Sequence, residues 1–267
     1  MTYFVHYLTV LLMKFMNNNH EEMDEMNKVI LEANEIFKDA GFDYAICGGF
    51  AIDMYAGREL REHGDFDILV FTEDKQPVIQ FMLDKGWTVF GRFMEEGRPI
   101  TQHLFYKIED ITNCFWDDCV NVWAIRPGCL SNVLDKLDRL QGEIYTYKSR
   151  KWLVRDDLEF IELEFDVREG SDYVARESPR ITLPLDKAIL HCDGIPYLAP
   201  EVILFYKSDK YSSENPYAKP KTESDFKTIM PMLAEESKKW LLDAIEETYP
   251  DGYGWLSELL DLPQNYK

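Results

Sequence analysis

Apolar residues recur at three- and four-residue steps through Met23, Met26, Val29, Ile30, Ala33, Ile36 and Phe37. That is the period of an amphipathic helix, and it predicts one over Glu21 to Ala40, with Gly41 past the last turn. A short apolar run follows, Tyr44-Ala45-Ile46-Cys47, then Gly48-Gly49, then helical spacing from Phe50 to Ala56. This reads as strand, tight turn, helix. From Asp65 to Phe71 the pattern alternates and then turns wholly apolar, as in a strand that enters a buried sheet from an exposed end. A helix is predicted over about Gln76 to Lys85, stopped by Gly86, and strands near Trp87 to Phe93, Gln102 to Ile108, Val120 to Ile125 and Leu158 to Val167. Beyond Leu183 prolines punctuate short helical segments, and no further strand is expected there. The pattern therefore predicts an α/β sheet domain over residues 21–185, followed by a smaller all-helical domain over 186–267.

Composition narrows the class. The 267 residues are 46% hydrophobic and include 16 Phe, 15 Tyr and 6 Trp, enough to build a large core and too many for a disordered chain. With 49 acidic against 29 basic residues, the formal charge of −20 repels phosphate backbones and attracts cations. A sequence-independent nucleic-acid surface is disfavoured. The five cysteines (Cys47, Cys114, Cys119, Cys129, Cys192) are odd in number and lack a C-x-x-C pair, which fits reduced thiols in a cytoplasm, buried as small hydrophobes. Their spacing, with His103 or His191, matches no tetrahedral zinc module. Residues 1–20 read as an appendage. The run from Met1 to Met16 is broken by His6 and Lys14, is too short to span a bilayer, and has neither a basic start nor a small-residue cleavage site.

The candidate chemistry lies around Asp65 and Asp67. Two residues apart on a strand, their side chains share a face with Cα atoms about 6.5–7 Å apart. Carboxylates that close repel unless a cation sits between them, and Mg²⁺ with its preference for hard oxygen ligands is the simplest occupant. Gly48-Gly49 falls between strand and helix, where missing side chains let a phosphate approach backbone N–H groups at the positive end of a helix. The fifteen residues from the pair to Asp65 allow one helix and a return strand. Phosphate cradle and metal ligands then meet at one end of the sheet.

These residues carry a resemblance. Cys47-Gly48-Gly49-Phe50-Ala51-Ile52-Asp53, Gly57-Arg58 and Arg61-Glu62-His63-Gly64-Asp65-Phe66-Asp67-Ile68 resemble the nucleotidyltransferase superfamily that includes DNA polymerase β, most closely its aminoglycoside 2″-adenylyltransferase-like branch. Asp193 to Lys207 is similar to the P-E-hydrophobic-K helix of that family's second domain, and Asp225-Phe226 with Pro231 to its D-F segment. The resemblance implies a mixed α/β nucleotidyltransferase domain, with Asp65 and Asp67 as catalytic metal ligands. A third carboxylate is implied on a neighbouring strand. Counted back from Ser178-Pro179-Arg180 it falls on Glu162, where many relatives have Asp, and Glu164 competes on the same strand face. Gly48, Gly49, Arg58, Arg61, His63 and Lys207 are implied on the nucleotide side, with Arg58, Arg61 and His63 either gripping triphosphate oxygens or orienting the loop. Asp53 reads as structural, capping or pairing with a nearby Arg.

The implied reaction is Mg²⁺-dependent transfer of a nucleoside monophosphate from an NTP, most simply ATP, to a hydroxyl of a small molecule, with release of pyrophosphate. An acidic surface suits a cationic acceptor such as an aminoglycoside, which makes antibiotic resistance the expected role. Two alternatives stand beside it: transfer to a macromolecule (tRNA or protein, as in toxin-like relatives), and a catalytically silent nucleotide-binding protein.

Overall fold

The computed structural model describes residues 28–93, 102–109, 111, 119–135, 137–141, 144–147, 158–176, 178–209, 215 and 218–249. A helix, α1, occupies residues 28–37 and buries Val29, Ile30, Ala33 and Phe37, the apolar stripe its spacing predicts. Strand β1 (Tyr44–Cys47) runs directly into α2 (Gly48–Ala56), which Gly57 ends in a left-handed conformation at φ 66°. Residues 57–66 form neither helix nor strand, and β2 (Asp67–Phe71) follows. Next come α3 (Lys75–Asp84), β3 (Thr88–Phe93), β4 (Gln102–Ile108), β5 (Cys119–Ile125), α4 (Leu130–Leu134), β6 (Leu137–Gln141), β7 (Ile144–Tyr147) and β8 (Phe160–Glu169). The last part comprises β9 (Asp172–Val174), β10 (Thr182–Pro184), α5 (Leu185–Ala188), β11 (Ile189–Cys192), β12 (Ile195–Leu198), α6 (Pro200–Tyr206), α7 (Lys219–Ile229) and α8 (Glu235–Thr248).

The strands form one mixed sheet in the order β11-β12-β1-β2-β8-β5-β3-β4-β7-β6, with β9 and β10 attached to β8. Pairs β1–β12 and β2–β8 are parallel, and the rest are antiparallel. The middle of β2 is buried throughout (Ile68, Leu69, Val70), as its continuous apolar run requires of a central strand.

The expectation of no strand beyond Leu183 is corrected, because β11 and β12 extend the sheet on the far side of β1. They are joined by Asp193-Gly194, both at positive φ (50° and 82°), a two-residue turn that matches the twist of a hairpin. Each strand has only four residues and the helical pattern around them dominates, so the Asp-Gly signal is easily overlooked. The division expected after residue 185 falls within α5, and among the described residues no strand follows Pro200. The helices beyond it share the core of the sheet: Phe226, Ile229, Leu241 and Ile245 belong to the same buried cluster as Ile46, Ile68 and Leu163. Among the cysteines Cys47 is buried as expected, whereas Cys192 on the edge strand β11 is exposed. No helix among the described residues is long and apolar enough to cross a membrane.

Candidate active site

The site is built on one row across the sheet. Register places Cys47 of β1 beside Asp67 of β2, and Asp67 beside Glu162 of β8. Asp65 lies just before β2 in the loop, not within the strand as its spacing predicts, yet its side chain turns to the same place. One carboxylate oxygen from each of Asp65, Asp67 and Glu162 lies within 4.8 Å of the others. Glu164, two residues along β8, is outside this group.

Burial and like charge act together here. The Asp67 carboxyl is pushed well above its ordinary pKa by burial first, then by Asp65, Glu162 and Glu164, with Lys207 opposing. Glu162 is raised to about 7, again by burial, with Arg92 opposing and Glu164 and Asp65 reinforcing. A bound cation relieves this frustration, and the oxygen donors gathered within 4.8 Å suit Mg²⁺, which prefers hard oxygen ligands and completes its shell with water and phosphate. The residues fit the ion.

Two partners that the sequence reading missed fix Glu162. Arg92 of β3 reaches its Oε1 with Nη1 at 3.2 Å, and the Asn121 amide of β5 donates to Glu162 and also to Glu164 Oε1, the latter at 2.8 Å. The signal was a fully buried Asn inside the apolar run Val120-Asn121-Val122-Trp123, which has no place in a core without a polar partner. Farther along β8, Asp166 accepts from Tyr173 and, at 2.6 Å, from Tyr206, tying the end of α6 to the central sheet.

The glycine pair has an internal reason to be glycine. Gly48 has φ +61°, and a Cβ there would overlap Asp67 Oδ2; a Cβ on Gly49 would overlap the His63 ring. Both gaps are filled by the protein's own side chains. His63, predicted on the nucleotide side, is buried instead, with Nε2 2.5 Å from Asp53 Oδ2 and its ring against Phe50. Asp53 is structural as expected, although its partners are His63 and the Leu60 N–H (3.1 Å), not an arginine side chain.

Arg61 and Lys207 meet on an unpredicted residue, Asp225 of α7. Arg61 donates from Nε (3.0 Å) and Nη2 (3.1 Å), and Lys207 Nζ lies 3.1 Å from Asp225 Oδ2. The two cations hold the Asp225 carboxyl below its ordinary range against the opposing effect of its burial, which is the largest single influence. Arg58 is exposed on the turn after α2. Sequence order hides this convergence, since Asp225 lies 164 residues beyond Arg61.

Residues 29–112 match the aminoglycoside-2″-adenylyltransferase family. That segment holds the glycine pair, Arg58, Arg61, His63, Asp65 and Asp67, the residues that carry the resemblance read from the sequence. A lincosamide resistance protein of Staphylococcus haemolyticus is 29% identical over 96 residues, 36% of this chain and 56% of that protein. The chain thus spans about half the length of the curated relative it matches. Among solved structures, the antibiotic-resistance factor ANT(2″)-Ia is similar over 87% of this chain and 95% of that one, at 17% identity and a TM-score of 0.43. The lincosamide antibiotic adenylyltransferase LnuA, bound to lincomycin, is similar over 76% and 96%, at 14% identity and a TM-score of 0.40.

Proposed function

We propose that the chain is a Mg²⁺-dependent nucleotidyltransferase that moves AMP from ATP to a hydroxyl of a small, cationic, antibiotic-like molecule. The observation that carries this reading is the convergence of Asp65, Asp67 and Glu162 within 4.8 Å beside the glycine pair, with both aspartates and the glycines inside the segment that matches the family. Mg²⁺, when bound, offsets negative charge on the reacting phosphoryl group and on the leaving pyrophosphate. Asp65 and Asp67 would hold it, and Glu162 would complete the set. The Glu162 carboxylate, kept in place by Arg92 and Asn121 and held in its charged form by the cation, is the group placed to accept the proton of the attacking hydroxyl. Lys207 has further N–H donors beyond its bond to Asp225, and its field already reaches Asp67, so it serves as the phosphate-side cation with the exposed Arg58. The backbone at Gly48 and Gly49 opens α2 and offers N–H groups to the triphosphate.

The acceptor side is argued from charge. A molecule at −20 concentrates cations around itself, and the relatives named above act on or are bound to antibiotics. The experiment is pyrophosphate release with Mg²⁺ and ATP over a panel of aminoglycosides and lincosamides. Acceptor-dependent release supports the reading. Release only with tRNA or protein moves the acceptor to a macromolecule, and binding of ATP without any release leaves a silent nucleotide-binding protein.

A further inference from the structure

Arg61 sits four residues before Asp65, in a loop where no ladder or helix fixes the backbone. Side-chain bonds fix it instead. Arg61 donates from Nε and Nη2 to the two oxygens of Asp225, and from Nη1 to the Glu62 carbonyl (3.3 Å) and to His63 Nδ1 (3.1 Å). A guanidinium has five N–H groups and no acceptor, so these four bonds leave one for anything else. Because Arg61 can only donate, His63 Nδ1 accepts, the ring proton is on Nε2, and Nε2 donates to Asp53. The result is one chain of directed bonds from α2 to α7: Asp53, His63, Arg61, Asp225. Asp53 also takes the Leu60 N–H, and Gly49 leaves the space the His63 ring occupies. Lys207 differs, reaching Asp225 through its Nζ alone, at Oδ2.

We infer that Arg61 is a positioning residue for Asp65, clamped between Asp225 and the His63–Asp53 pair, and is not a ligand of phosphate. The inference rests on the metal-binding reading of the site given above. It assigns Asp225, Asp53 and His63 the task of holding the 60–65 loop so that the Asp65 carboxylate meets those of Asp67 and Glu162.

Charge and position predict opposite results. Arg61 is a cation in the field of Asp65. If it acted by charge alone, Arg61→Gln would tighten binding of a divalent cation, and Arg61→Lys would leave it unchanged. A clamp needs the planar two-pronged guanidinium, so both variants weaken binding. The test is Mn²⁺ alone, titrated into the full chain by calorimetry, with thermal unfolding as the check on folding and the metal-free non-hydrolysable ATP analogue titrated separately. Arg61→Lys and Arg61→Gln are expected to lower Mn²⁺ affinity by about tenfold or more, the scale on which groups that orient metal ligands act, with analogue affinity unchanged. Asp53→Asn leaves the Arg61–Asp225 pair intact and is expected to weaken Mn²⁺ in the same way, which keeps the inference testable if the Arg61 variants do not fold. Wild-type Mn²⁺ affinity in Arg61→Lys, tighter binding in Arg61→Gln, or a loss confined to the ATP analogue overturns it. Absence of Mn²⁺ binding by the wild-type chain overturns the metal reading itself, and this inference with it.

Discussion

Glu162 shows how much of the chemistry is set by a single side chain's surroundings. It is buried, it faces Asp65 across the site, and Arg92 and Asn121 hold it. Its folded-state pKa of about 7 lies above the ordinary 4.5, so between those values the folded protein binds the proton that the unfolded chain has released. Stability from this group is therefore lost as pH rises from about 4.5 to about 7. In chelator, the melting temperature of Glu162→Gln relative to wild type is expected to climb across that window and to level off above it. A difference that shrinks with rising pH would contradict the assignment. Saturating Mg²⁺ should reduce the difference, because a cation restores the charged form. In the sequence, D-x-D alone was weak in so acidic a chain, and Asp65 and Asp67 stood out through their context, the glycine pair before them and the motif that resembles the nucleotidyltransferase superfamily. The choice between Glu162 and Glu164 was not legible, since a strand face carries both and only register tells which one stands beside Asp67.

Among the elements, β1, α2, β2 and β8 were read close to their observed bounds because each has an undiluted period and a glycine or charged residue at its edge. The hairpin of β11 and β12 was missed for a different reason: His191 and Pro196 interrupt its two short apolar runs, and its evidence is the Asp193-Gly194 turn. That turn yields a prediction. Gly194 is at φ +82°, a conformation that costs a residue with a Cβ about 1–2 kcal/mol. Gly194→Ala is expected to lower the melting temperature by about 2–4 °C for each kcal/mol in a protein of this size. An unchanged melting temperature would mean that the hairpin contributes nothing to the fold. The roles of the polar residues that organise the site across elements, Asn121, Asp166 and Asp225, were not legible even where the motif drew attention to Asp225, because each role depends on partners distant in sequence.

At the scale of the whole molecule, the helices after Pro200 pack on the sheet through a shared core and bring Lys207 and Asp225 to the edge of the carboxylate cluster. The fold class was readable, as an α/β sheet followed by helices, whereas the convergence of Arg61, Lys207 and Asp225 required the packed structure. On the proposed reading, the net charge of −20 draws a cationic acceptor toward the whole surface. Salt shortens the reach of that field from about 10 Å at 0.1 M to about 3 Å at 1 M. For a cationic acceptor, KM is expected to rise several-fold over that range while kcat changes little, measured by initial rates at fixed Mg²⁺ and ATP. A flat KM would place acceptor recognition in contacts that do not depend on charge. The account's central claim is that the carboxylate cluster carries Mg²⁺-dependent nucleotidyl transfer, and the direct measurement is acceptor-dependent pyrophosphate release by wild type and by Asp67→Asn, with Mg²⁺ and ATP. The predicted result is release by the wild type and none above background for the variant, which still melts at or above the wild-type temperature without metal because a buried like charge has been removed. Release by a folded Asp67→Asn protein at the wild-type rate would contradict the claim.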